Sequence, residues 1–387
     1  MGRHLEGSRP LTGPLGVVVT IALFIIVLGS LVLIHEIGHF ITARLAGIRV
    51  LEFGIGFPPR ARVLRVKGET LYTLNWLPIG GFVKLEGEDG GDDSDPRSFV
   101  RARLPVKLII LVAGVVMNLL VSLLIFTSIA WLATPFVGLK FFTVEPGSPA
   151  ASAGLISGDA ILAIDGQRYE FFGEGQVLSG LRDSAGRSVV LTIEHPDGAI
   201  ADLPVTLRTQ AEIDASPRDE AGRPTIGPLG VSQQSMPFQT RFYGTFTRDL
   251  PTAIGVGANE TVRWFGVILG GLGDLARQVI SDPTAPPQVS GPIGIATQIS
   301  DIFFGAGFVM TLYVMGILSA NLALVNILPF PPLDGGRMAM ILLKQLLGSR
   351  ISVRAEQMTY VVGFVFLFGF LIWVSGFDIV RILSGGS

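Results

Sequence analysis

Between Thr12 and Ile34 the chain carries no charged residue. The stretch centres on Val17-Val18-Val19-Thr20-Ile21-Ala22-Leu23-Phe24-Ile25-Ile26-Val27-Leu28 and runs into His35-Glu36 with no small-residue cleavage site. A bilayer core needs about 20 apolar residues of helix. Leu15–Leu45 is therefore expected to cross a membrane rather than to be removed as a signal peptide. Three further stretches meet the same requirement: Val106–Pro135, Gly307–Leu328 with a trailing segment to 336, and Met358–Leu383. Composition agrees. Of 387 residues, 49% are hydrophobic and only 16% charged, where soluble domains carry about 25% charge, and mean hydropathy is +0.56. The expected fold is a multi-pass α-helical membrane protein with about four transmembrane helices. A formal net charge of −2 gives no footprint for nucleic acid. The absence of cysteine excludes disulfides, thiolate catalysis and Cys-ligated metal.

Eleven Lys and Arg residues lie from Arg44 to Lys107, and Arg337, Lys344, Arg350 and Arg354 fall between the last two spans. The N-terminal tail offers only Arg3 and Arg9. Basic loops stay on the cytoplasmic side, so both segments are expected there, in a cell (inner or plasma) membrane. The long insert between spans two and three is then extracytoplasmic. Residues 49–88 alternate apolar and polar side chains, as in Arg62-Val63-Leu64-Arg65-Val66 and Thr70-Leu71-Tyr72-Thr73-Leu74. Turn residues separate the runs at Gly56-Phe57-Pro58-Pro59 and Lys67-Gly68-Glu69. This period of two predicts membrane-associated β-hairpins on the cytoplasmic side. Glu86–Asp95 reads as a solvated acidic loop. In residues 252–300 the apolar stretch Gly255–Leu275 is interrupted by Glu260, Arg263 and Asp274, so an amphipathic or interfacial helical segment is expected.

The insert, residues 138–235, has its ordered part at roughly Phe141–Arg208. Val144-Glu145-Pro146-Gly147-Ser148-Pro149-Ala150 is followed by Ala160-Ile161-Leu162-Ala163-Ile164-Asp165-Gly166. Short β-rich runs bounded by turn chemistry, with Asp165-Gly166 as a hairpin signal, predict an α+β domain. The string resembles a PDZ domain, which implies a module that takes an extended peptide, such as a C-terminal tail, as an added strand. A plain spacer domain is the alternative. Thr209–Arg241 is rich in Pro, Gly and polar residues and reads as a trailing linker with one more strand at Gly230-Val231-Ser232.

The chemistry lies in His35-Glu36-Ile37-Gly38-His39. Residues i and i+4 share a helix face, so two imidazoles reach one metal ion and the glutamate beside them can take a proton from a water there. Two of the chain's four histidines fall in these five residues. They end an apolar run, where ionisable groups cost about 2.5–3.5 kcal/mol to insert and mark function. A catalytic zinc needs a third protein ligand. His4 is in the tail and His195 in the insert. Asp334, in Asn326-Ile327-Leu328-Pro329-Phe330-Pro331-Pro332-Leu333-Asp334-Gly335-Gly336, ends the third span level with the histidines. Its prolines break the helix, and its glycines permit close approach. Taken alone it could equally be a loop after a helix; beside the first motif it becomes the candidate ligand.

These two segments make the chain resemble the site-2 proteases, intramembrane zinc metalloproteases, in the bacterial branch that cuts anti-sigma factors and remnant signal peptides. Pro78-Ile79-Gly80-Gly81-Phe82-Val83-Lys84, Ser290-Gly291-Pro292-Ile293-Gly294-Ile295-Ala296 and the PDZ-like insert also look like family segments. The resemblance implies Zn2+ held by His35, His39 and Asp334, with Glu36 as catalytic base. It implies Asn326, with Pro329 beside it, at the substrate backbone or developing oxyanion, and hairpins that offer the substrate an edge. Single-pass membrane proteins in the bilayer would be the substrates. One departure stands in span two. The family often has Ala-Gly-Pro before an Asn, whereas Ala113-Gly114 is followed here by Val115, with Asn118 further on.

Other readings make distinct demands. A membrane-anchored metalloprotease that cuts soluble proteins would hold His-Glu-x-x-His outside the apolar run. A metal transporter would line a path with intramembrane acids, and spans two and four offer only Asp378. A zinc-dependent membrane scaffold presenting a PDZ module is the non-enzymatic alternative.

Overall fold

The computed structural model describes residues 13–88, 95–172, 177–217, 226–231, 239–282, 285–287, 289–347 and 352–384. The chain divides into two compact units, one of residues 1–127 with 257–387 and one of Ser128–Val256. His4, Arg3, Arg9, Arg350, Ser232 and most of the acidic loop lie outside the described residues.

In the first unit, α1 (Pro14–Leu45) begins with proline in its first turn, where a missing N–H costs nothing. It stops at Ala46-Gly47, where Gly47 takes φ 77°. Next, β1 (Val50–Lys67) and β2 (Thr70–Leu85) pair antiparallel around Gly68. Both strands bend. Arg60–Lys67 pairs with Thr70–Asn75, whereas Val50–Ile55 pairs with Gly81–Leu85 and has further partners in Leu71–Leu74. The expected turn at Gly56–Pro59 is the bend in β1, where a Cβ on Gly56 would lie 2.3 Å from the Leu77 carbonyl. The chain does not break there into separate strands.

Helix α2 (Leu104–Leu132) ends before the expected Pro135, because Thr134 and Pro135 already belong to a strand of the second unit. Two short helices of that unit, α3 (Pro149–Ser152) and α4 (Val177–Asp183), precede α5 (Gln210–Asp214). Its strands are β3 (Thr134–Lys140), β4 (Ala160–Ile164), β5 (Gln167–Glu170), β6 (Ser188–Glu194), β7 (Ile200–Thr206) and β8 (Gln239–Phe246), in the order β7-β6-β4-β5-β3-β8. Asp165 and Gly166, both at positive φ, make the two-residue turn between β4 and β5. Phe141, Ile161, Leu191 and Ile193 fill the core beneath the sheet.

The trailing linker expected over Thr209–Arg241 is corrected. It holds α5, closed by a reciprocal capping box between Thr209 and Glu212. It also sends Leu229 and Val231 into the core and leads to β8, which pairs along β3 from Thr134↔Phe246 to Lys140↔Gln239. A few apolar residues among many polar ones are enough to bury, and a Pro- and Gly-rich composition hides them.

Helix α6 (Leu250–Ser281), which enters the first unit at Gly257, is one helix, longer than the interrupted stretch foreseen; residues from Pro292 onward belong to α7 (Pro292–Ile327), not to it. Its Glu260 carboxylate receives Arg263, Trp264 and the Tyr313 hydroxyl of α7. Gly307, at φ 82° and ψ −176°, interrupts α7 where the third span was expected to begin. Leu328 is extended, as a residue before proline should be, and ends the helix. Asp334 is not part of that helix but opens α8 (Asp334–Leu347), and α9 (Val353–Leu383) follows, capped by Ser352. Among the described residues, four helices are long and apolar enough to cross a membrane, within α1, α2, α7 and α9.

Candidate metal centre

His35 and His39 are buried on one face of α1. The chain turns tightly to reach them. A Cβ on Gly335 would lie 2.2 Å from the Ile327 carbonyl, and one on Gly336 would lie 2.5 Å from Phe330. Two residues without side chains thus let α8 start against the end of α7 with Asp334 in front. From α9, Gly363 clears the Pro331 carbonyl, 2.1 Å from where its Cβ would be.

The result is a compact triad. Asp334 Oδ2 lies 2.9 Å from His35 Nε2 and 3.2 Å from His39 Nε2, and the two Nε2 atoms are 3.1 Å apart. Ligands about 2 Å from a tetrahedral zinc stand about 3.3 Å from one another, so the triad already has nearly the spacing a zinc ion would impose. Two independent features fit a metal here. Gly114 of α2 faces both rings, and a Cβ on it would lie 2.6 Å from each Nε2. The far side of each ring is also engaged: His39 Nδ1 is 2.7 Å from the Ile110 carbonyl, and His35 Nδ1 is 3.3 Å from the Asn118 amide. His39 thereby donates from Nδ1 and keeps Nε2 free for a metal. Asn118 Oδ1 is buried without a partner. An amide is nearly symmetric in shape, so turning it over gives that oxygen the Nδ1–H of a His35 that binds metal through Nε2. Within the described residues these three are the one His/Cys/Asp/Glu group able to hold a metal ion.

A cavity of about 650 Å³ opens over the triad. Glu36 lines it beside the histidines, and so do Asn326 and five consecutive residues of β2, Gly81–Leu85. The strand passes directly over the glutamate, 3.5 Å from its Cγ to a Cβ built on Gly81. Pro329 is exposed and lies outside the lining, whereas Pro332 is part of it. At the rim, Arg337 of α8 pairs with Glu88 just beyond β2. Burial works against the Arg337 charge, but Glu88 and Asp334 outweigh it and hold the guanidinium ionised above its ordinary range. His195 is elsewhere, in the second unit, 2.8 Å from Asp159. Asn118 and Gly114 are the residues sequence reasoning left without a role.

Membrane-length helices around a His-His-carboxylate pocket with an adjacent glutamate define a membrane metalloprotease. The profile of peptidase family M50 matches residues 23–370. A protein of Clostridium perfringens named "Putative zinc metalloprotease" is 32% identical over 352 residues, covering 91% of this chain and 96% of its own. Zinc metalloprotease RasP of Geobacillus kaustophilus is 27% identical over 443 residues, covering 92% and 97%. The chain belongs to peptidase family M50, the site-2 proteases, and is a zinc metalloprotease.

Proposed function

We propose that this protease hydrolyses peptide bonds within the transmembrane segments of single-pass membrane proteins, such as anti-sigma factors or remnant signal peptides, in regulated intramembrane proteolysis. The observation that carries it is the position of His35, Glu36 and His39 inside α1, a helix long and apolar enough to cross a bilayer. A bond cut there is reached in lipid. His35, His39 and Asp334 would hold the zinc, which when bound polarises the scissile carbonyl and makes water acidic enough to attack near neutral pH. Glu36 accepts the water's proton and passes it to the leaving amine. Asn326 donates to the substrate backbone or the developing oxyanion. A substrate helix must unwind before it is cut, and in lipid its freed amides need new partners. The Gly81–Leu85 stretch lining the cavity supports the view that they find them on this strand. The basic loops would face the cytoplasm. The second unit, as a PDZ-like domain, would lie outside it and take a peptide tail or exclude bulky substrates. Its strand β8 at one margin of the sheet supports that likeness.

The test separates ligand from base. Glu36→Gln should abolish cleavage of a membrane substrate while zinc content stays at that of the native protein. Asp334→Ala should lose both. Metal loss in step with activity in Glu36→Gln, or full zinc occupancy in Asp334→Ala, overturns the roles assigned here.

A further inference from the structure

Asp334 is the first residue of α8, and the residues before it, from Leu328 to Leu333, are not helical. Its carboxylate therefore points wherever the first turn of α8 points. Gly335 and Gly336 set how closely that turn approaches the end of α7, and the helix beyond it rests on apolar contacts. Met338 and Ile341 pack against a buried cluster that includes Ala43 of α1, Leu85 of β2 and Leu111 of α2. Apolar packing is non-directional, and a helix lying on such a surface can roll. A productive ligand tolerates a displacement of about 0.5 Å or a rotation of about 10–20°. Something directional has to fix the roll.

We propose that Arg337 is a positioning residue for Asp334, acting through its ion pair with Glu88. Arg337 is three residues on from Asp334 in the same turn, and its N–H bonds the Leu333 carbonyl at 3.0 Å. Its guanidinium reaches Glu88 Oε1, where only 11% of the Glu88 side chain is exposed. Glu88 is fixed in its own right. Its second oxygen accepts the Leu85 N–H at 3.2 Å, and Leu85 is buried at the end of β2. The pair thus joins the turn that presents the ligand to the strand that lines the cavity. A charge-assisted bond supplies the direction that the apolar face lacks. The chemistry above gives neither residue a part. The inference rests on Asp334 being a zinc ligand.

The experiment uses the full chain in detergent micelles with zinc alone as probe. Zinc affinity is measured by chelator competition in Arg337→Ala, Arg337→Lys, Glu88→Gln, Arg337→Ala with Glu88→Gln, and Asp334→Ala. Arg337→Ala and Glu88→Gln should each weaken zinc binding about tenfold, the lower end of what outer partners of metal ligands contribute. The double variant should be no weaker than the worse single one, because both cut the same contact. Arg337→Lys, which keeps the charge, should lose less, and saturating zinc should restore cleavage to all but Asp334→Ala. An unchanged affinity in Arg337→Ala or Glu88→Gln overturns the proposal, as do additive losses. If Arg337→Ala fails to fold, the isosteric Glu88→Gln and Arg337→Lys decide the matter. Zinc bound normally by Asp334→Ala would instead overturn the ligand assignment itself.

Discussion

A histidine that binds metal through one nitrogen has to place the proton carried by the other. His39 gives its Nδ1 proton to the Ile110 carbonyl of α2, and His35 faces Asn118 of the same helix. Truncating an outer partner of this kind weakens metal binding about 10–100-fold. Asn118→Ala is therefore expected to bind zinc at least tenfold less tightly by chelator competition, while its thermal unfolding without metal changes little. An unchanged affinity would reduce Asn118 to packing. The two histidines and Glu36 were legible because one helical turn relates them, and spacing arguments work within a turn. Asn118 is 83 positions from His35, and Asp334 is 299 positions from it. Asp334 could be found only by asking which acid ended a span at the right level. Asn118 could not, because a buried amide in an apolar helix carries no spacing signal.

Among the elements, α1, α2 and α9 were visible to within a few residues, because length and lack of charge are local properties, whereas α7 begins at Pro292 and not at the expected Gly307. The boundaries that moved are those set by contacts. Asp378 of α9 is an example. It is only 1% exposed and accepts the amides of Gly291 and Gly294 at the start of α7, at 3.2 and 2.8 Å. A Cβ on either glycine would meet that carboxylate 2.8 Å away. The intramembrane acid that a transporter reading would have used is thus the cap of a neighbouring helix. It also gives a physical reason for the glycines of Ser290-Gly291-Pro292-Ile293-Gly294. The elements give an orientation that can be tested. Reporters fused after Lys84 and after Lys344 should read cytoplasmic, and one inserted near Gly198 extracytoplasmic. The reverse pattern would sink the orientation and leave the metal centre untouched.

On the scale of the whole molecule, the second unit is a compact part whose limits the sequence misjudged. Cutting out Phe141–Arg208 would leave β3, α5 and β8 behind without the four strands β4 to β7. The cut belongs at Thr134 and Phe246, which face each other across the ladder. We expect a chain lacking residues 134–246, closed by a short linker, to bind zinc as the full chain does. If the proposed exclusion of bulky substrates is right, that chain should still cut substrates already trimmed outside the membrane and should begin to cut untrimmed ones. Loss of cleavage for trimmed substrates would mean that the unit holds a tail instead. Cleavage of neither form would defeat the exclusion model.

The pairing of Thr134 with Phe246 also bears on inheritance. Two chain ends held one strand spacing apart, about 5 Å, make the insert a closed parenthesis in the gene. The stretch of DNA between them can be deleted, doubled or traded for another coding module, and the gap that the host polypeptide has to bridge stays the same width.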